Sequence, residues 1–99
     1  MPYQSSFSDE MIEELYEAIL TLKTVEECYR FFEDICTIKE LQSISQRLKV
    51  ARMLRENMTY NQIEDQTGVS TATISRISKF LHHGPGGYNL VLDRVMGKE

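Results

Sequence analysis

Thr59-Tyr60-Asn61-Gln62-Ile63-Glu64-Asp65-Gln66-Thr67-Gly68-Val69-Ser70-Thr71-Ala72-Thr73-Ile74-Ser75-Arg76-Ile77 reads as two short helical patterns meeting at a glycine. Thr59 followed three residues on by Gln62 is a capping-box pair, so a helix should open at Tyr60. Gly68 ends it, because glycine takes the left-handed C-terminal position without a steric penalty. Ser70 is an N-cap type and opens the second helix. Ile63, Val69, Ile74 and Ile77 are spaced to bury between the two helices and set their crossing angle. What the second helix leaves outside is short and polar. That is the layout of a helix-turn-helix, whose second helix seats in a DNA major groove. Ser70, Thr71, Thr73 and Ser75 offer hydroxyls to bases or phosphates, Ala72 can meet a thymine methyl, and Arg76 and Lys79 can hold phosphates. Together with Tyr60, Asn61 and Gln62 on the first helix they form the candidate DNA-contacting set. Glu64 stands where many such motifs carry alanine against the second helix, so its charge must escape sideways or face the DNA.

Working outward, the upstream chain reads as three helices from about residue 8 onward. Ser8 offers an N-cap before Asp9 and Glu10, and Met11, Ile12, Leu15, Ile19 and Leu22 recur at helical spacing to about residue 22. Thr24 with Glu27, and Thr37 with Glu40, are capping-box patterns that should start helices near Val25 and Ile38. The second helix is expected to bury Cys28, Phe31, Phe32 and Ile35. The third, to about Glu56, carries Leu41, Ile44, Leu48, Ala51 and Leu54 on one stripe. Downstream, Leu81 continues the inward face, Gly84 and Pro85 stop the helix, and a last helix is expected over about Tyr88 to Met96. No repeat, low-complexity tract or strand pattern interrupts this. The fold class is therefore all-α, and one domain should cover residues 1–99. Within it, 1–7 are expected to be flexible, 8–57 to supply dimerisation helices, 58–82 the helix-turn-helix and 86–97 the C-terminal helix.

Composition permits this reading and narrows it. A 41% apolar content over 99 residues suffices for a globular core. The formal charge of -4 looks wrong for a nucleic-acid partner, but it averages two unlike halves. Residues 1–40 hold ten acids against three bases, a balance of -7, and residues 41–99 hold eight bases against five acids, a balance of +3. An acidic front and a basic back suit a protein that turns one face to an anionic polymer. Apolar stripes on the first three helices are too broad for so small a domain to bury alone, which points to a homodimer.

Other chemistries find no support. Cys28 and Cys36 lie eight residues apart on a helix, about 12 Å at 1.5 Å per residue, too far for a disulfide between them. They are read as small buried apolar residues in a reducing compartment. His82 and His83 are neighbours whose side chains diverge by about 100° on a helix and do not chelate one ion together; favourable charge at a helix C-terminus suits them better. No catalytic triad, carboxylate pair, phosphate loop or metal-ligand spacing is visible, so no enzyme, cofactor or metal is expected. No leader or membrane-spanning run is present, so a cytoplasmic protein is expected.

From Thr37 onward the chain resembles the Trp repressor superfamily, and as a whole its YerC/YecD-like branch. The stretches that carry the likeness are Gln46-Arg47-Leu48 through Met53-Leu54-Arg55 and Ala72-Thr73-Ile74-Ser75-Arg76, the latter similar to the family's Ala-Thr-Ile-Thr-Arg recognition helix. The resemblance implies an intertwined helical homodimer acting as a transcriptional regulator of repressor type. One reading head per subunit would contact successive major grooves of double-stranded DNA, with half-sites about 34 Å apart. It also implies a corepressor pocket at Arg47 and Arg76, with Thr37 nearby. The rest of that pocket departs from the pattern: Ile77 replaces a glycine and Phe80 replaces a serine. Both are expected to fill the cavity as permanent core, so tryptophan is not expected as effector. Asn61 and Glu64 replace two basic residues of the family's first reading helix, which implies a different operator. The competing reading is a helical dimeric adaptor that has lost its DNA.

Overall fold

The computed structural model describes residues 3–97, and its described residues form six α-helices and no strand. Met1 and Pro2, the start of the segment expected to be flexible, lie outside the described residues. Two compact units divide the chain, one ending at Thr37 and the other beginning at Ile38.

The first unit holds α1 (Glu10–Ile19) and α2 (Val25–Ile35). Asp9, not Ser8, caps α1: its carboxylate accepts from the Ile12 N–H at 3.1 Å. Both residues are cap types, and a charged acceptor gains more at the positive end of a helix. The helix stops at Ile19, short of Leu22, because the chain tightens into turns where Thr21 and Leu22 donate to Ala18 and Ile19. Thr24 caps α2 as expected, accepting from Glu27 N–H at 3.1 Å, while the Glu27 carboxylate reaches back to Lys23 N–H at 2.8 Å. Neither helix buries a residue. Phe31 and Phe32 are half-buried and meet edge to face at 5.3 Å, but Cys28 and Ile35 are exposed, contrary to the expectation that α2 buries them. Among the described residues of the first unit, nothing covers that side of α2. Both cysteines are free thiols.

The second unit holds α3 (Ile38–Arg55), α4 (Tyr60–Thr67), α5 (Thr71–His83) and α6 (Gly87–Val95). Its core is Val50, Ala51 and Met53 of α3, Ile63 of α4, Ile74, Ile77 and Leu81 of α5 and Leu92 of α6. The α3 stripe read from sequence is thus only partly inside: Ala51 is enclosed and Leu41 and Leu54 are half-buried, whereas Ile44 and Leu48 are exposed. Burial on α3 begins at Val50, where the other helices of this unit lie against it. A Schellman motif ends α3, with Asn57 left-handed at φ 64, Asn57 N–H donating to Leu54 O and Met58 N–H to Met53 O.

Between α4 and α5 the turn is built as the sequence predicts. Thr59 accepts from Gln62 N–H at 3.1 Å and Gln62 Oε1 accepts from Thr59 N–H at 2.9 Å, a complete capping box. Gly68 adopts φ 76 and donates to Glu64 O at 2.8 Å. Thr67 Oγ1 donates back to Ile63 O at 2.7 Å and accepts from Val69 N–H at 3.1 Å, which ties the glycine turn to α4. Ser70 caps α5, and α6 starts and ends within one residue of the sequence reading.

Ile63 is fully enclosed in the core of this unit, on a helix that packs against α3 and α5. Ile63→Ala is expected to destabilise the second unit by ~2–5 kcal/mol, read as a lower urea midpoint. Gln66→Ala, at an exposed site of α4, should leave the midpoint nearly unchanged.

Candidate nucleic-acid interface

The outer face of α5 collects most of the predicted contact residues. Thr71, Ala72, Ser75, Arg76 and Lys79 are exposed and Thr73 is half-buried, while Ile74 and Ile77 point into the core and fix the helix's rotation. Tyr60, Asn61 and Gln62 are exposed in the first turn of α4. Three of these side chains also hold the fold. Gln62 Oε1 is engaged in the capping box, and Ser70 Oγ accepts from Thr73 N–H at 3.3 Å and donates to Thr73 Oγ1 at 3.2 Å. Glu64 is exposed, so its carboxylate has taken the solvent side and α4 packs without an alanine there.

Charge on this face is available. Among the described residues the ion pairs are Glu26–Arg30, Arg52–Glu56 and Arg55–Asp93, so neither Arg76 nor Lys79 is neutralised by a carboxylate. Arg47 is likewise outside these pairs. No three His, Cys, Asp or Glu side chains among the described residues come together as a metal site, and His82 and His83 hold their ring centroids 6.3 Å apart on the last turn of α5. No helix among the described residues is long and apolar enough to cross a membrane.

Beside α5 opens a cleft of about 310 Å³, lined by Ser43, Gln46 and Arg47 of α3 and by Gly68, Val69, Ser70, Thr73, Arg76 and Ile77. Of the pocket residues implied by resemblance, Arg47, Arg76 and Ile77 meet here. Thr37 belongs to the first unit, and Phe80 is 51% exposed and takes no part in the lining. The expectation that Phe80 plugs the cavity as core is therefore corrected. Phe80 sits about 100° round the helix from the buried Leu81 and is turned outward. Ser43 was not singled out from the sequence, and Gln46 was read only as the start of a stretch that carries the family likeness. Their signal was their spacing, one turn and one residue before Arg47, close to its face of α3.

The fold defines an all-helical protein in which a short glycine-turned helix pair is packed on the end of a longer helix. More particularly, residues 10–96 match the family model described as Trp repressor protein, and the chain belongs to that family. It is 57% identical over 88 residues to the uncharacterized protein YerC of Bacillus subtilis (strain 168), covering 89% of this chain and 85% of that one. Its backbone matches the crystal structure of a TrpR-like protein from Eubacterium eligens with a TM-score of 0.86 at 50% identity, over 92% of this chain and 94% of the other. A crystal structure from Staphylococcus aureus matches with a TM-score of 0.85, also at 50% identity, over 93% and 91% of the two chains.

Tyr88 reports on the packing of α6 beside this site. Burial pushes its phenol above the usual value of 10.0, and the nearby Arg47 guanidinium pulls it part of the way back. The unfolded chain then loses this proton at lower pH than the folded one, so stability falls as pH rises from about 10 toward the raised value. Tyr88→Phe should remove that part of the alkaline decline, seen by comparing urea midpoints of variant and wild type at pH 9 and pH 11.

Proposed function

We propose that this chain is a sequence-specific DNA-binding transcriptional regulator of repressor type, working in the cytoplasm as a homodimer. The observation that carries the proposal is the outer face of α5: short hydroxyl side chains and two unneutralised cations, Arg76 and Lys79, on a helix whose rotation the core fixes. Small side chains let a helix approach base edges, and the cations hold the flanking phosphates. The N-terminal turns of α5 add the positive end of a helix to the same face.

Homodimerisation is supported by the first unit. α1 and α2 bury nothing in the single chain while Met11, Tyr16, Leu20, Val25, Tyr29 and Ile35 stand in solvent. Helices this short are not stable without a covered apolar face. A second copy provides one, and two copies carry two reading helices.

Selection of sites from a random duplex pool should enrich a palindrome. Replacing Arg76 and Lys79 together by alanine should weaken binding to every duplex and lower the slope of log affinity against log salt by about two. Failure to enrich any sequence, with a salt slope near zero, supports the adaptor reading instead.

Tryptophan is not the effector in this reading. The cleft between Arg47 and Arg76 is walled by Ile77 and otherwise mostly polar, with Ser43, Gln46, Ser70 and Thr73 on its lining. An indole needs apolar faces, and this lining supplies few. Calorimetric titration with tryptophan should give no heat above dilution; a micromolar dissociation constant would refute this point and leave the DNA reading standing.

A further inference from the structure

Proline has no N–H, and Pro85 stands four residues after Leu81, so the Leu81 carbonyl in the last turn of α5 lacks its helical donor. Asn89 of α6 supplies one: its Nδ2 donates to Leu81 O at 3.0 Å. The other side of the same amide is held by α3. Arg55 Nη1 lies 3.4 Å from both the backbone oxygen and Oδ1 of Asn89, and Arg55 Nη2 pairs with Asp93 Oδ1 at 2.7 Å. The Arg55 side chain is 20% exposed and that of Asp93 45%; this ion pair joins two helices, whereas the other two pairs of the described residues lie within single helices or their ends. One arginine thus binds α6, and α6 in turn holds the end of α5. Carbonyl and amino group of Asn89 both have partners in one orientation only, so the clasp selects a single geometry.

We propose that the Arg55–Asn89–Asp93 clasp positions the reading helix: it sets the tilt of α5 against α3 and so places the exposed residues from Ser70 to Arg76. The inference rests on the DNA-reading function proposed above and assigns that function its positioning residues. Its physical basis is leverage. Leu81 is ten residues from Thr71, about 15 Å along the axis, and a tilt of about 10° around the buried Ile77 moves the start of α5 by roughly 1.6 Å. Base-edge hydrogen bonds tolerate a few tenths of an ångström. In a two-fold dimer the same tilt acts at both heads, so the spacing between half-sites changes as well.

The test uses the full chain and the operator selected above. Affinity is measured for that operator, for versions with one base pair added or removed between half-sites, and for a random duplex. Asn89→Ala should bind the operator about tenfold more weakly, the scale of one lost base contact, and should discriminate less among the three spacings. Its affinity for random duplex should stay within about twofold of wild type. Asp93→Asn, which changes only the charge that holds Arg55, should shift spacing preference in the same direction and serves where Asn89→Ala does not fold. Amide exchange in the last turn of α5 should quicken in both variants without DNA. Parallel weakening on all duplexes, or unchanged spacing preference in variants that fold, would overturn the positioning role. If the wild-type protein selects no operator, the DNA reading falls and this inference with it; the wild-type arm tells that case from failure of the clasp alone.

Discussion

Everything in the second unit depends on how closely helices approach Val50 and Ala51. Both are fully enclosed, and the small side chain of Ala51 lets neighbouring backbone come near α3. Into that space go Ile63 from α4 and Ile74 and Ile77 from α5, stiff branched side chains with few rotamers to lose. A loose contact here would leave α5 free to roll about its axis, and a helix that rolls presents no fixed row of hydroxyls. The direction of Thr71, Ala72 and Ser75 into solvent is therefore a consequence of three isoleucines pointing the other way. The capping box, the Thr67 bonds and Gly68 hold the turn between the helices, but the isoleucines decide which face is outside.

Local chemistry was legible in the sequence and tertiary choice was not. Thr24, Thr59 and Ser70 were readable as caps because a cap is a bond within four residues, and Gly68 because a left-handed turn needs it. Ser8 and Asp9 are both cap types in adjacent positions, so spacing alone does not choose between them. Ile44 and Leu48 share the helical spacing of Ala51, yet only Ala51 lies where other helices arrive. Phe80 was expected inside because it takes a pocket position by resemblance to the family; its place about 100° round the helix from Leu81 turns it out. Arg47, Arg76 and Ile77 came together around the cleft, while Ser43 carried no motif and Gln46 entered only through the stretch similar to the family. Asn89 had a readable half, the proline four residues after Leu81, but the identity of the donor that replaces the missing N–H depends on where α6 folds back.

The net charge of -4 is a poor guide to this surface because electrostatics in salt water is local. Exposed charges more than a Debye length apart, roughly 8–10 Å under ordinary ionic strength, scarcely feel one another. Within that range what counts is which cations are already paired. Arg30, Arg52 and Arg55 have carboxylate partners, and two of those pairs connect residues one helical turn apart. Arg76 and Lys79 lie three residues apart on the exposed side of α5, with no acid between Asp65 and Asp93 in the sequence. A polyanion approaching α5 therefore meets a field set by these two and by the helix N-terminus, whatever the acids of the first forty residues contribute elsewhere.

The hydrogen bonds already made on this face limit what each side chain has left to offer. Nucleic-acid phosphates only accept, so a contacting hydroxyl must have its proton free. Ser70 has committed its proton to Thr73 Oγ1 and an acceptor lone pair to Thr73 N–H, which leaves it nothing to donate without opening the cap of α5. Thr73 accepts that proton and keeps its own. Gln62 Oε1 accepts from Thr59 N–H and keeps a second lone pair, so the capping box fixes where the amide sits without removing either of its base-reading groups. The two-bond recognition of adenine is then open to Gln62 only in the orientation that the cap imposes. Under the proposed function, sequence discrimination then falls to Asn61, whose side-chain amide is not engaged in the caps, to Gln62 as the cap holds it, and to Thr71, Ala72, Thr73 and Ser75. The chemistry that folds the helix pair has in this way narrowed the set of residues able to read a base.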